Sequence, residues 1–248
     1  MKWTCELVMI GGLWAAPPVI SQISLFSDTF ESYARGDYLD LRWQVESGQW
    51  DASGGSLIGR AADRGTCWAS ASPVAADQEI SVLLTPGERV RDGAWAAAAL
   101  VLWAGPSDFW RLSLVDAPDG RRYAELLESR AGRWQAQNDG SAALAVLPDG
   151  VDGFEWQTGH AYRLRLRVDA ARIRGTITDD DTGDVVFRRG YRLPPDANAV
   201  RRGRAGVMVE SLEAAFDDVE PPACHPAAPA PLARPRFSPP ECRTHPPP

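Results

Sequence analysis

Residues 162–177 carry the clearest pattern in the chain. Tyr162, Leu164, Leu166 and Val168 alternate with Arg163, Arg165, Arg167 and Asp169. A period of two puts the apolar side chains on one face of a strand and the arginines on the other. After a short turn at 169–171, Ile173, Gly175 and Ile177 alternate with Arg172, Arg174 and Thr176, which predicts the return strand of a hairpin. The turn-forming run Asp179-Asp180-Asp181-Thr182-Gly183-Asp184 closes it, and Val185 opens the next strand. Upstream, residues 95–104 (WAAAALVLWA) form a continuous apolar run between Asp92-Gly93 and Gly105-Pro106. The alanines favour helix, but the length, the flanking breakers and the neighbouring strands fit a central strand covered on both faces. Trp110, Leu112 and Leu114 then alternate with Arg111, Ser113 and Val115 as far as the turn at 116–120. Strands are also predicted over 123–129 and 133–137, around Ala131-Gly132, and in short pieces around Gly48 and after Gly54-Gly55. Many short strands, regular turn signals and almost no amphipathic helix predict an all-β fold, a sandwich or barrel.

Both ends depart from this pattern. Residues 1–6 are short and polar, 7–16 are apolar, and Pro17-Pro18 break the run. Ten apolar residues are too few for roughly 30 Å of hydrocarbon, so residues 1–24 read as an export signal, not an anchor. Glu6 departs from the positive start such a leader should have, which leaves an ordinary N-terminal segment as the other reading. An export signal implies a secreted, periplasmic or cell-surface protein. Residues 221–248 hold 11 prolines in 28 positions; such a segment neither donates to a ladder nor buries enough surface to fold, and it reads as a disordered tail. The folded body is then expected over 25–220.

Apolar residues at 44% and charged residues at 24% suit a chain of 248 residues that buries a real core. A net charge of −7 and a pI near 5.1 argue against general affinity for nucleic acid or an anionic membrane. Lys2 is the single lysine and the other basic residues are arginines, a bias read as genome composition. Of the four cysteines, Cys5 lies in the leader. Cys224 and Cys242 are the better placed of the remaining three to pair, with Cys67 a buried thiol.

Several motifs, in order, resemble the laminin-G-like, concanavalin A-like domains. They are Phe26-Ser27-Asp28-Thr29-Phe30-Glu31, then Trp43, Gly48-Gln49-Trp50 and Gly54-Gly55-Ser56-Leu57. At the centre stand Leu100-Val101-Leu102-Trp103 and Asp108-Phe109-Trp110-Arg111-Leu112; later come Trp156 with 162–166, and Ala215-Phe216-Asp217-Asp218-Val219. The pattern is similar to that of bacterial secreted domains labelled 3-keto-disaccharide hydrolase-like, or related to family-16 glucanases. The resemblance covers about 26–220 and implies an antiparallel two-sheet jelly-roll sandwich whose first and last strands pair. That pairing removes an open edge and would bring Asp28 and Glu31 near Asp217 and Asp218. Related jelly rolls often hold a structural calcium at this seam, so the resemblance implies a calcium site on Asp28, Glu31 and Asp217, the hard oxygen ligands that calcium requires.

No catalytic centre is legible. Glucanases of this fold carry a Glu-x-Asp-x-(x)-Glu strand, and here Glu125-Leu126-Leu127-Glu128 places its acids on opposite faces. His160 is the one histidine of the body and is read as an exposed turn residue, and there is no Gly-x-Ser-x-Gly elbow. Cys224-His225 and Cys242–His245 lack standard zinc spacing. The 179–184 loop lacks the downstream glutamate of an EF-hand and reads as a solvated turn. Ten tryptophans are many for this length, and aromatic rings can stack on the apolar faces of sugars. Trp103 and Trp110 sit in apolar strand pattern and are expected in the core. Trp68, Trp134 and Trp156, near turns and polar residues, are the expected sugar-stacking rings. The sequence thus points to a module that binds polysaccharide or glycoconjugate without catalysis, with a keto-disaccharide-type glycoside hydrolase and a structural adhesion module as alternatives.

Overall fold

A computed structural model describes residues 26–33, 39, 42–70, 72, 74, 77–135 and 144–220. The expected leader, the proline-rich tail and Cys5, Cys224 and Cys242 lie outside these residues. Among the described residues there is no helix, hence none long and apolar enough to cross a membrane.

The strands, in chain order, are β1 (Trp43–Ser47), β2 (Gln49–Ser53), β3 (Ser56–Arg60), β4 (Arg64–Ala69) and β5 (Gln78–Arg89). Next come β6 (Ala96–Gly105), β7 (Asp108–Asp116), β8 (Arg122–Arg130) and β9 (Arg133–Gln135). The last are β10 (Tyr162–Val168), β11 (Arg172–Asp179), β12 (Val185–Arg192), β13 (Arg204–Glu210) and β14 (Leu212–Glu220). They form two antiparallel sheets of seven strands. The first runs β1-β4-β13-β6-β7-β8-β9 and the second β12-β11-β10-β5-β14-β3-β2. The expected all-β two-sheet sandwich is the observed architecture. The apolar run at 95–104 forms β6, the middle strand of the first sheet, with eight of its ten residues buried. The predicted hairpin is β10–β11, with Val168 opposite Ile173 across the turn.

One core fills the space between the sheets. From the first sheet, Ala96, Ala98, Leu100 and Leu102 of β6, Trp110, Leu112 and Leu114 of β7, and Val207 and Val209 of β13 point inward. From the second, Ile80, Val82 and Leu84, Leu164 and Leu166, Ile173 and Ile177, and Phe216 meet them. The outer face of the second sheet is a solvated charge lattice. Arg165 and Arg167 reach Glu79, and Arg163, Arg174 and Arg189 reach Asp218, Asp149 and Asp152.

Two tight joints carry the chain directly from one sheet to the other. Gly48, at φ +85°, links β1 to β2; a Cβ there would lie 2.7 Å from the Gly65 Cα, so the joint requires glycine. Ser211, at φ +48°, links β13 to β14. It is held by its N–H on the Asp63 carbonyl (3.0 Å), its hydroxyl on the Ala62 carbonyl (2.8 Å) and its own carbonyl, which accepts from the Val90 N–H. The ends of the body do meet, but through one two-bond bridge between Asp28 and Val219 and not a full strand pair. β14 spends both its edges on β3 and β5, so only its final residues are free to take Asp28.

Candidate functional site

Side chains of the first sheet that alternate away from the core form a second, smaller cluster on its outer face: Ala99, Val101, Trp103, Phe109 and Met208, with Trp68 and Trp134 packed against them. Register explains the assembly. Arg204 of β13 pairs with Trp103 of β6, Trp103 with Phe109 of β7, Phe109 with Ser129 of β8, and Ser129 with Trp134 of β9. One row across five strands therefore carries arginine and aromatic side chains on the same face. Trp103 stacks on Phe109 at 5.6 Å and Phe109 meets Trp134 edge-on at 5.9 Å. Trp134 reaches this row through a two-residue turn, Ala131-Gly132, in which both residues have positive φ, the geometry that matches hairpin twist. Gly206, opposite Trp68, gives the face its smallest side chain between the rings.

Arginines frame these rings. The Arg111 guanidinium lies 4.4 Å from the Trp134 ring centre, Arg64 lies 5.6 Å from both Phe109 and Trp134, and Arg204 lies 5.0 Å from Trp68. These distances are within cation–π reach. Arg111 is buried and bridges two carboxylates, Glu125 of β8 at 2.9 Å and Glu210 of β13 at 3.0 Å. Burial pushes the Glu125 carboxyl above the usual range, the Arg111 charge opposes the shift, and Glu210 adds to it. Three buried polar atoms of this face have no hydrogen-bond partner: Trp68 Nε1, Arg111 Nε and Ser113 Oγ. Buried donors without acceptors are costly unless something else satisfies them. At the other end of the face, Trp95 is 52% exposed and borders a cleft of about 910 Å³ shared with Tyr123, Glu125 and Phe154.

Trp68 and Trp134, two of the three expected sugar-stacking rings, thus share one face and are each part-exposed. Trp156 does not join them. It is buried at 1% exposure, its Nε1 donates to the Val115 carbonyl (2.8 Å), and the Arg122 guanidinium lies 4.5 Å from its ring centre. Its polar neighbours cover it instead of exposing it. Trp110 is in the core as expected, donating to the Val200 carbonyl, whereas Trp103 is buried on the outer face and not between the sheets. The Arg111–Glu125–Glu210 triad is not legible in the sequence; its one trace there is a charged residue at an outward position between the apolar residues of β7.

Glu125 and Glu128 do face opposite ways. Glu128 is buried on the far side and accepts from the Val200 N–H, and burial pushes its carboxyl up to about 7. His160 is half-buried, not exposed. Its Nε2 lies 2.8 Å from Asp179 and its ring meets Tyr162 edge-on at 4.7 Å. Asp179 also accepts from the Asp181 and Thr182 N–H groups, so the acidic loop is a self-bonded turn.

The acidic seam does not fit a calcium shell as expected. Asp28 is buried and turned toward donors: Phe30 N–H at 3.0 Å on one oxygen, and Tyr33 O–H at 3.1 Å and Trp43 Nε1–H at 2.9 Å on the other. Arg42 stands 3.6 Å from that second oxygen. A cation there would meet hydrogens and a guanidinium. Glu31 is close enough for its charge to raise the Asp217 carboxyl, to which burial contributes most. Among the described residues no three His, Cys, Asp or Glu side chains converge to hold a metal.

No family model matches the chain, and no curated protein matches it by sequence. Its fold is similar to that of a carbohydrate-binding module, CBM66, from Bacillus subtilis (TM-score 0.52, 14% identity, covering 73% of this chain and 95% of that one). It is also similar to part of a GH43 protein from Bacillus licheniformis (TM-score 0.51, 13% identity, 79% of this chain and 39% of that one). A glycoside hydrolase family protein from Mycobacterium thermorestibile matches as well (TM-score 0.50, 11% identity, 79% and 99%). At these identities the likeness is one of fold, an antiparallel β-sandwich that occurs in carbohydrate-binding and carbohydrate-cleaving proteins.

Proposed function

We propose that this protein is a glycan-binding module that receives saccharide on the outer face of its first sheet, against Trp68 and Trp134. The observation that carries this reading is the aromatic row itself. Soluble proteins bury such rings in the core, but here Trp68, Trp103, Phe109 and Trp134 gather on the side of the sheet away from it. Ring faces offer dispersion and CH contacts to a pyranose, and the adjacent arginines offer donors to its hydroxyls. The similarity of fold to a carbohydrate-binding module supports it.

Glycan-array or affinity-electrophoresis screening of the purified protein against plant, fungal and bacterial polysaccharides tests the proposal. At least one polysaccharide is expected to bind. Trp68→Ala and Trp134→Ala are each expected to weaken it by about 1–3 kcal/mol, the range for loss of one aromatic contact, with circular dichroism and melting temperature checking the fold. Failure of the wild type to bind any polysaccharide would overturn the reading.

One observation favours a hydrolytic reading: Glu125 and Glu210 share this face, and burial holds the Glu125 proton tightly. Glycoside hydrolysis needs two carboxyl groups free to serve as acid and as base or nucleophile. Here each commits an oxygen to Arg111, which favours an ion triad that supports the binding face. Release of reducing or keto sugars from the bound polysaccharide, abolished by Glu125→Gln, would reverse that preference.

A further inference from the structure

At the edge of this face, Trp68, Trp103, Arg130, Arg201, Arg202 and Arg204 line a pocket of about 710 Å³, within the roughly 300–1,000 Å³ of small-ligand sites. Among the described residues four arginines and no carboxylate line it, in a protein whose net charge is −7. The arginines differ in how they are engaged. Arg130 is paired with Asp108 at 2.9 Å. Arg201 is held by backbone carbonyls, those of Ala170 (2.9 Å), Leu193 (3.1 Å) and Pro194 among them. Arg204 donates to the Ser70 carbonyl (2.6 Å) and lies over Trp68. Those carbonyls fix two guanidinium groups in place without neutralising them. Arg202 is part of the pocket wall, is exposed, and has no ion-pair partner among the described residues. Glu128 lies behind Val200, buried.

We infer that this pocket selects an anionic sugar, one bearing a carboxylate or sulfate, with its ring against Trp68 and its charge on Arg202 and Arg204. The inference rests on the glycan-binding reading and adds the chemical class of the ligand. A planar carboxylate or a sulfate accepts two parallel N–H donors from a guanidinium, which a hydroxyl cannot match. A negatively charged protein repels polyanions at long range, so an anion held here would be held by specific contacts with Arg202 and Arg204, which no described carboxylate pairs, and not by a general stickiness. Neutral sugars would leave the Arg202 charge unanswered.

Isothermal titration of the full chain with matched oligosaccharides of three kinds tests this: uronate (oligogalacturonate and oligoalginate), sulfated (heparin- and chondroitin-derived), and neutral (xylo- and cello-oligosaccharides). Binding is expected for the uronate or the sulfated set, each arm identifying its own anion, and weaker by about tenfold or more for the neutral set. Affinity for the acidic set is expected to fall as NaCl rises from about 0.05 to about 0.5 M. Arg202→Ala is expected to lose about tenfold in affinity for the acidic ligand. Arg165→Ala, on the outer face of the other sheet, serves as the control for lost net charge and is expected to lose less than about twofold. Binding of neutral oligosaccharides as tight as that of acidic ones overturns the inference and leaves the glycan-binding reading standing. So does a loss at Arg202 no larger than at Arg165. No binding to any of the three sets or to polysaccharide overturns both.

Discussion

Glu128 shows how a single buried side chain sets a pH dependence. Its carboxyl lies inside the sandwich, accepts one backbone N–H from Val200, and is pushed up to about 7 chiefly by burial. A folded-state value above the ordinary 4.5 means that the folded protein holds the proton more tightly than the unfolded chain does. The resulting stabilisation is complete below the unfolded value and is lost as pH rises through about 7. Glu128→Gln keeps an oxygen for Val200 and removes the charge. The variant is expected to melt at a higher temperature than the wild type at pH 8 and near the same temperature at pH 4.5; scanning calorimetry at the two pH values checks it. Trp156 gives the contrary lesson about reading residues. Polar neighbours in sequence suggest exposure, yet the Val115 carbonyl and Arg122 are the groups that let an indole be buried with its N–H satisfied. Nothing local in the sequence announces partners 41 and 34 positions away.

At the scale of elements, legibility followed periodicity. β10 and β11 alternate strictly, and their hairpin, turn and inward residues stand where the pattern put them. β6 was legible from length and flanking breakers. β5, the longest strand, was not, because Pro86-Gly87 interrupts it like a turn. The structure shows why the proline is tolerated. The Pro86 carbonyl accepts from Gly159 in a loop, so its nitrogen also faces away from the β14 ladder, beyond the last β10 pair at Leu84. The candidate site was half legible. Trp68 and Trp134 could be named, but their convergence with Trp103 and Phe109 depends on the pairing of distant strands, and register across a sheet is not written in any one of them. The sheet-to-sheet joints are equally specific. Gly48→Ala forces an unfavourable positive φ and a Cβ against the Gly65 backbone. It is expected to cost about 1–3 kcal/mol, read as a lower urea midpoint at unchanged slope.

Across the whole molecule, two sheets of opposite character share one core. The second sheet turns a lattice of Arg–Asp and Arg–Glu pairs to water, while the first gathers aromatic rings on one side. The seam where residue 28 meets residue 219 is tied by hydrogen bonds to Asp28, so closure of the body depends on protein donors at that carboxylate.

The Ser211 joint carries a consequence for how the chain can be made. β13 lies between β4 and β6 in one sheet, and β14 lies between β5 and β3 in the other, so the final stretch of the body is the keystone of both layers at once. A nascent chain lacking residues 204–220 has neither layer complete and four unsatisfied ladder edges, the template for intermolecular pairing. Folding of the body therefore waits until residues 204–220 have been made, and its dependence on such remote pairings makes it slow. A chain stopped at residue 203 is expected to sediment as aggregate, whereas one stopped at residue 220 stays in the supernatant; centrifugation of the two after expression decides between a late-closing body and one that assembles layer by layer.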